Sequence, residues 1–189
     1  QSRGSLLHIM YGEEIMQAFH EFKSIWDSEW LMNPGKVIDS YGQLADLRMG
    51  PNYNPPTPKT HFHFMDNDDK GSFSRATLRC VGVGNCRQHE GVTMCPSYMV
   101  TREEKDSTRG RAHLLFEMLN GNVIKDGWND EYVKESLDLC LACKGCKGDC
   151  PVNVDIATLK SEFLSHYYEK NQRPASAFAF GWIYWWSRL

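Results

Sequence analysis

The chain has 189 residues, 41% of them hydrophobic and 24% charged, an ordinary globular balance with room for one core or two small ones. A formal charge of −3 and the lack of any Lys/Arg run exclude a basic nucleic-acid-binding surface. Gln1 to Gly12 lack the basic stretch and long apolar core of a secretory signal, and an opening on Gln rather than Met reads as the middle of a longer protein.

Periodicity predicts a helix over residues 11–30, with Ile15, Phe19, Phe22 and Trp26 on one stripe, stopped before Asn33-Pro34-Gly35. Pro51, Pro55, Pro56 and Pro58 predict an extended, semi-rigid linker over 51–60. A short strand-like piece, His61 to Met65, and a polar turn, Asp66 to Ser72, follow. From Ser74 onward the pattern is helices separated by cysteine loops. Ser107 is read as the N-cap of a helix through Asn120, with Ala112, Leu115 and Leu119 on one face and Gly121 closing it. Asn129 or Asp130 caps the next helix, which delivers Cys140. Asp155 begins another, with Ile156, Leu159, Phe163 and Tyr167 buried. Pro174 opens an aromatic segment with Phe178, Trp182, Trp185 and Leu189 on one stripe. It is too short to span a membrane and lacks a Lys/Arg-rich face, so it is expected to pack on a neighbouring domain, any membrane association being peripheral.

Seven cysteines, three between residues 80 and 95 and four between 140 and 150, are too clustered for a disulfide framework and read as metal ligands in a reducing compartment. Cys140-x2-Cys143-x2-Cys146-x3-Cys150-Pro151 has the spacing of an iron–sulfur run, whose fourth cysteine ligates a second cluster. A structural zinc site is the competing reading. It normally needs a longer return of the chain than the two residues between Cys143 and Cys146. Cys80, Cys86 and Cys95-Pro96 supply the second motif, with Val83 where another cysteine would stand. Crossing the two motifs assigns Cys140, Cys143, Cys146 and Cys95 to one [4Fe–4S] cluster. Cys80, Cys86 and Cys150 take the other, either a [3Fe–4S] cluster or a [4Fe–4S] cluster with a non-cysteine ligand. His89 is the candidate for that ligand, against its plainer reading as a solvated loop residue. Gly82 and Gly84 let the backbone approach and donate N–H groups.

These paired motifs among helices resemble the α-helical ferredoxin module of fumarate reductase, succinate dehydrogenase and the glycolate-oxidase and glycerol-3-phosphate dehydrogenase electron carriers. In the fumarate reductase type a valine in place of the second cysteine goes with a [3Fe–4S] cluster, and Val83 matches that. There, however, the deficient motif comes second. Phe22 to Asp27 with Leu31 to Val37 is similar to the end of an FAD-linked oxidase domain of the D-lactate dehydrogenase type. Met94 to Tyr98 and Ser107 to Arg111 are similar to the fused module that follows such domains.

The resemblance implies a mainly α fold, an α-helical ferredoxin-like module with the C-terminal tail of an FAD-linked oxidase domain at its N-terminus. Residues 1–50 would be that tail, 51–73 the linker and short strand, 74–172 the iron–sulfur domain, and 173–189 a lead-in helix. The function implied is the iron–sulfur relay of an FAD-dependent 2-hydroxy acid dehydrogenase, with FAD in the full-length protein but no catalytic residue in this chain. The rival is a stand-alone, non-catalytic electron-carrier subunit. Expected partners are an upstream FAD domain, a downstream cysteine-rich domain and an electron acceptor, in the cytoplasm or on the inner face of its membrane. His61 and His63, alternating on a strand, could share a metal or simply line a wet edge. Arg109 and Arg111 could screen cluster charge or solvate a helix start, and Glu103 to Asp106 reads as a solvated loop.

Overall fold

The computed structural model describes residues 3–45, 47–50, 52–64, 69–91 and 93–189. The chain divides into two compact units, Gln1–Asn54 and Pro55–Leu189. Its regular structure is helical, and β-structure among the described residues is limited to an isolated bridge between Phe64 and Gly71. The fold is therefore mainly α.

In the first unit, α1 (Leu7–Trp26) bends at Gly12, whose φ of 74° is cheap only without a Cβ. The helix begins and ends earlier than its periodicity suggests, and Asp27 is the reason for the stop. Its carboxylate accepts from the amides of Leu31 and Met32, at 2.9 Å each, and pairs with Lys23 one turn back. Lys23 also donates to the Met32 carbonyl at 2.8 Å. Lys23 first, then the two amides, hold the Asp27 carboxyl below its ordinary value. The apolar stripe of α1 is largely exposed, Phe22 at 65% and Trp26 at 72%, while Met16 is the covered side chain of the helix. Among the described residues of this unit no second layer forms over the helix, and a stripe is buried only against another element.

The second unit contains α2 (Phe73–Leu78), α3 (Pro96–Thr101), α4 (Thr108–Asn120), α5 (Glu131–Asp138), α6 (Gly145–Asp149), α7 (Ile156–Lys170), α8 (Ala175–Gly181) and α9 (Ile183–Trp186). Helix starts follow local chemistry. The side chains of Ser107, Asp130 and Asp155 accept from the amides of Gly110, Val133 and Thr158 respectively. Gly121, at φ 66°, closes α4 in the left-handed conformation. Helix α4 is central and packs on α2, α5 and α7. The core between them contains Phe73, Leu115, Val133, Leu137, Ile156, Leu159 and Phe163, all essentially inaccessible.

Within this unit, the stretch from Pro56 to Phe62 is tied to α2 and α7. The Pro56 carbonyl accepts from Ser74 Oγ, and the amides of His61 and Phe62 donate to the two carboxylate oxygens of Glu162 at 2.8 Å each. Glu162 is fully buried, and His166 Nε2 lies 2.7 Å from one of its oxygens. The His61 ring stacks on His166, which stacks on Trp128, at centroid distances of 4.2 and 4.3 Å. His61 to Phe64 is thus a clamp rather than a strand; Met65 and residues 66–68 of the expected turn lie outside the described residues.

Glu162→Ala should leave two part-buried amides and the largely covered His166 imidazole without their carboxylate partner. At about 1–3 kcal/mol for each orphaned group, the variant should lose roughly 3 kcal/mol or more of unfolding free energy. A urea midpoint within error of the wild type would contradict the clamp.

Helices α8 and α9 leave Phe178, Phe180, Trp182, Trp185 and Trp186 exposed. Among the described residues no helix is long and apolar enough to cross a membrane.

Candidate metal centres

All seven thiols are free, and the fold gathers them into two sets. Cys95, Cys140, Cys143 and Cys146 line one cavity together with Thr108, Arg111 and Ile156. Cys80, Cys86 and Cys150 line a second, with Gly82, Val83, Gly84, Thr108 and Arg109. Thr108 borders both.

Backbone geometry brings the thiols of each set to one cavity. Cys140 follows the last turn of α5, its amide bonded to the Leu137 carbonyl at 3.0 Å. Ala142 and Lys144 have φ of 52° and 60°, so the chain reverses on either side of Cys143. Cys95 has φ 55° just before Pro96 opens α3. Three non-glycine residues in the left-handed region store about 1 kcal/mol or more each, a strain that collects at functional sites. In the second set Gly82 and Gly84 take φ of 81° and 87°, carrying the loop from Cys80 around to Cys86. Cys150 ends α6 in an extended conformation, and this sends its side chain to the other cavity from Cys146, one turn earlier.

Burial pushes the Cys95 thiol up to about 11, against hydrogen bonds from Thr108 that pull it down. Burial also raises Cys80 and Cys146, partly offset by the amides of Gly82 and of Ile156 and Ala157. Buried thiols of this kind ionise when a cation replaces the proton, which is the donor chemistry of a thiolate-bound metal centre. Four convergent sulfurs in one cavity and three in the other, with amide donors aimed at them, fit iron–sulfur clusters.

The sulfur-directed donors at the start of α4 are the feature the sequence did not reveal. The Thr108 amide lies 2.9 Å and its Oγ1 2.7 Å from Cys95 Sγ. The Arg109 amide lies 3.4 Å from Cys86 Sγ. Their only trace in the sequence is the N-cap serine that places both amides at a helix start.

Arg111 does not solvate that start. It is 3% exposed, donates to the Ser136 carbonyl at 2.8 Å and to Ser97 Oγ at 2.9 Å, and lies 3.6 Å from Asp106. Asp106 is correspondingly buried and takes a hydrogen bond from Thr101, so the 103–106 stretch is not wholly a solvated loop. Lys160 donates to the Cys140 carbonyl at 2.7 Å, and burial lowers its affinity for a proton.

His89 is not among the residues lining the three-thiol cavity. Arg87 turns to Glu104 at 3.1 Å and Gln88 is extended, which carries His89 toward Tyr98, ring centroids 6.3 Å apart. His61 and His63 do not pair either. The donor atoms of His61 gather instead with those of His166 and Glu169, within 4.8 Å, while His63 borders a separate hollow beside Asp69 and Arg79.

Comparison with known proteins agrees with this chemistry. Residues 76–154 match the family described as 4Fe-4S dicluster domain. D-2-hydroxyglutarate dehydrogenase of Pseudomonas putida is 26% identical over 209 residues, covering 90% of this chain and 20% of that protein. Its Escherichia coli counterpart is 26% identical, covering 87% of this chain and 19% of its own. The glycolate oxidase iron-sulfur subunit of Escherichia coli is 35% identical over 95 residues, 50% of this chain and 21% of the subunit. The chain thus spans about a fifth of the length of the curated relatives it matches. No solved structure matches it. The thiol grouping and these matches together make the chain an iron–sulfur electron-transfer segment related to D-2-hydroxyglutarate dehydrogenases and glycolate oxidase iron-sulfur subunits.

Proposed function

We propose that this segment relays single electrons from the flavin of an FAD-dependent 2-hydroxy acid dehydrogenase to a separate acceptor. The observation that carries the reading is the gathering of seven free thiols into adjoining sets of four and three. Cys95, Cys140, Cys143 and Cys146 would hold a [4Fe–4S] cluster. Cys80, Cys86 and Cys150 would hold a [3Fe–4S] cluster, or a [4Fe–4S] cluster completed by a non-cysteine group. When bound, such clusters supply reversible one-electron chemistry, tuned by hydrogen bonds to sulfur. The protein's part is to hold the thiolates, keep water from the Cys95 and Cys146 sulfurs, and aim amides at them.

The fused arrangement is favoured over a stand-alone carrier subunit. The dehydrogenase matches run over about nine-tenths of the chain, the carrier-subunit match over half. In this reading an FAD domain precedes the segment, a cysteine-rich domain follows it, and the whole acts in the cytoplasm or peripherally on the membrane's inner face. The names of the relatives point to D-2-hydroxyglutarate as the first acid to try.

Anaerobic addition of D-2-hydroxyglutarate or D-lactate to the full-length protein should reduce the flavin and then bleach cluster absorbance within the turnover time. Flavin reduction with unbleached clusters, while an added acceptor is still turned over, would contradict the relay.

A further inference from the structure

We infer that the Thr108–Arg109 peptide unit is a tuning element shared by both centres and a bonded link between them. The inference rests on the cluster assignment above and concerns how this chain's backbone governs it. The first amides of a helix have no partner within the helix. In α4 the Ser107 hydroxyl takes the third of them, Gly110, at 2.9 Å. The two ahead of it, Thr108 and Arg109, find sulfur instead, and each finds a sulfur of a different set: Cys95 at 2.9 Å and Cys86 at 3.4 Å. From Cys95 Sγ the route to Cys86 Sγ is one hydrogen bond, the N–Cα, Cα–C and C–N bonds of one peptide unit, and a second hydrogen bond.

Two features fix the aim of these amides. A Cβ on Gly110 would fall 1.9 Å from the Glu104 carbonyl oxygen, so only glycine lets the helix start sit against the 103–106 turn. Arg109 Nε also pairs with Glu104 at 2.6 Å, and the buried Arg111 is tied to Ser136 and Ser97, which pins the first turn from both sides. An N–H directed at a ligand sulfur favours the more negative, reduced state, as does the positive end of the helix dipole. One peptide unit therefore raises both potentials together, and losing either amide should lower one of them alone.

The test uses the full-length protein loaded with its clusters, titrated anaerobically and followed by electron paramagnetic resonance. Replacing Thr108 with its α-hydroxy acid exchanges the amide N–H for an ester oxygen without changing the side chain. This should shift the reduced-to-oxidised ratio of the four-thiol centre about tenfold at fixed poise, a drop of about 59 mV for one electron, and leave the other centre in place. The same exchange at Arg109 should lower only the three-thiol centre. Thr108→Pro provides a genetic version. Proline is favoured at the first helical position, and Ser107, at φ −82° and ψ 159°, already has the extended backbone that proline requires before it. Thr108→Val keeps the amide and loses only the hydroxyl, so its drop should be smaller than that of Thr108→Pro. Wild-type protein containing iron and sulfide, with both potentials unmoved in the two ester variants, overturns this inference and leaves the relay standing. Wild-type protein without sulfide overturns the cluster assignment itself. If Thr108→Pro fails to retain iron, the ester variants decide.

Discussion

Cys150→Ser is expected to abolish the centre formed with Cys80 and Cys86 and to leave the other largely intact, so that iron content falls by about half. Cys143→Ser is expected to do the reverse. Cys146 and Cys150 are one helical turn apart, so an unbroken helix would point both side chains the same way. The break of α6 at Cys150 sends it instead to the cavity lined by Cys80 and Cys86. Cys143 sits between two left-handed residues and lines the Cys95 cavity, not the one lined by Cys80, Cys86 and Cys150. A serine hydroxyl is a much poorer ligand for iron than a thiolate, so each variant should lose its own cluster outright. Iron and sulfide analysis, with the spectrum of whichever cluster survives, reads the outcome. Loss of the same cluster by both variants would mean that the thiols do not act in the groups the fold brings together.

The second large effect is expected at Val83. It lines the three-thiol cavity and is 56% exposed, so a cysteine there costs little packing and adds a fourth thiolate. With three thiolates the site suits a [3Fe–4S] cluster, paramagnetic when oxidised. With four it suits a [4Fe–4S] cluster, which is silent in its oxidised state. The wild-type protein prepared in air should therefore show a signal that Val83→Cys removes, with iron rising by about one per chain. The missing thiolate also takes negative charge from the site, so the wild-type centre should be the easier of the two to reduce, and Val83→Cys should lower its potential toward that of the four-thiol centre. A silent wild type would mean that a non-cysteine group completes the site. His89→Ala, which removes a ring directed toward Tyr98, should leave the spectrum unchanged in either case.

What could be read from the sequence was what local chemistry decides. Ser107, Asp130 and Asp155 cap helices because an oxygen at that position satisfies an amide two or three residues on, and no distant residue is needed. The grouping of the thiols also follows from spacing and from the proline after each terminal cysteine. The exposure of the α1 stripe was not legible, because periodicity shows that a helix has an apolar face and not that a partner layer covers it. Arg111 and Asp106 form a buried pair, although the sequence reads Asp106 as part of a solvated loop and Arg111 as screening cluster charge or solvating a helix start. Their burial depends on α3 and α5 closing over them, a long-range event without a sequence signature. His61 alternates with Phe62 as in a strand, yet Glu162, a hundred residues away, captures both amides and makes a clamp of the segment. The sulfur-directed amides of Thr108 and Arg109 were hidden for a similar reason, since a backbone donor carries no residue-type signal.

Seven cysteines that hold two iron–sulfur clusters have a simple signature in the metal and sulfide content of anaerobically prepared protein. Iron and acid-labile sulfide should be present in comparable amounts, about seven to eight of each per chain, with little zinc. Stoichiometric zinc without sulfide would contradict the cluster assignment.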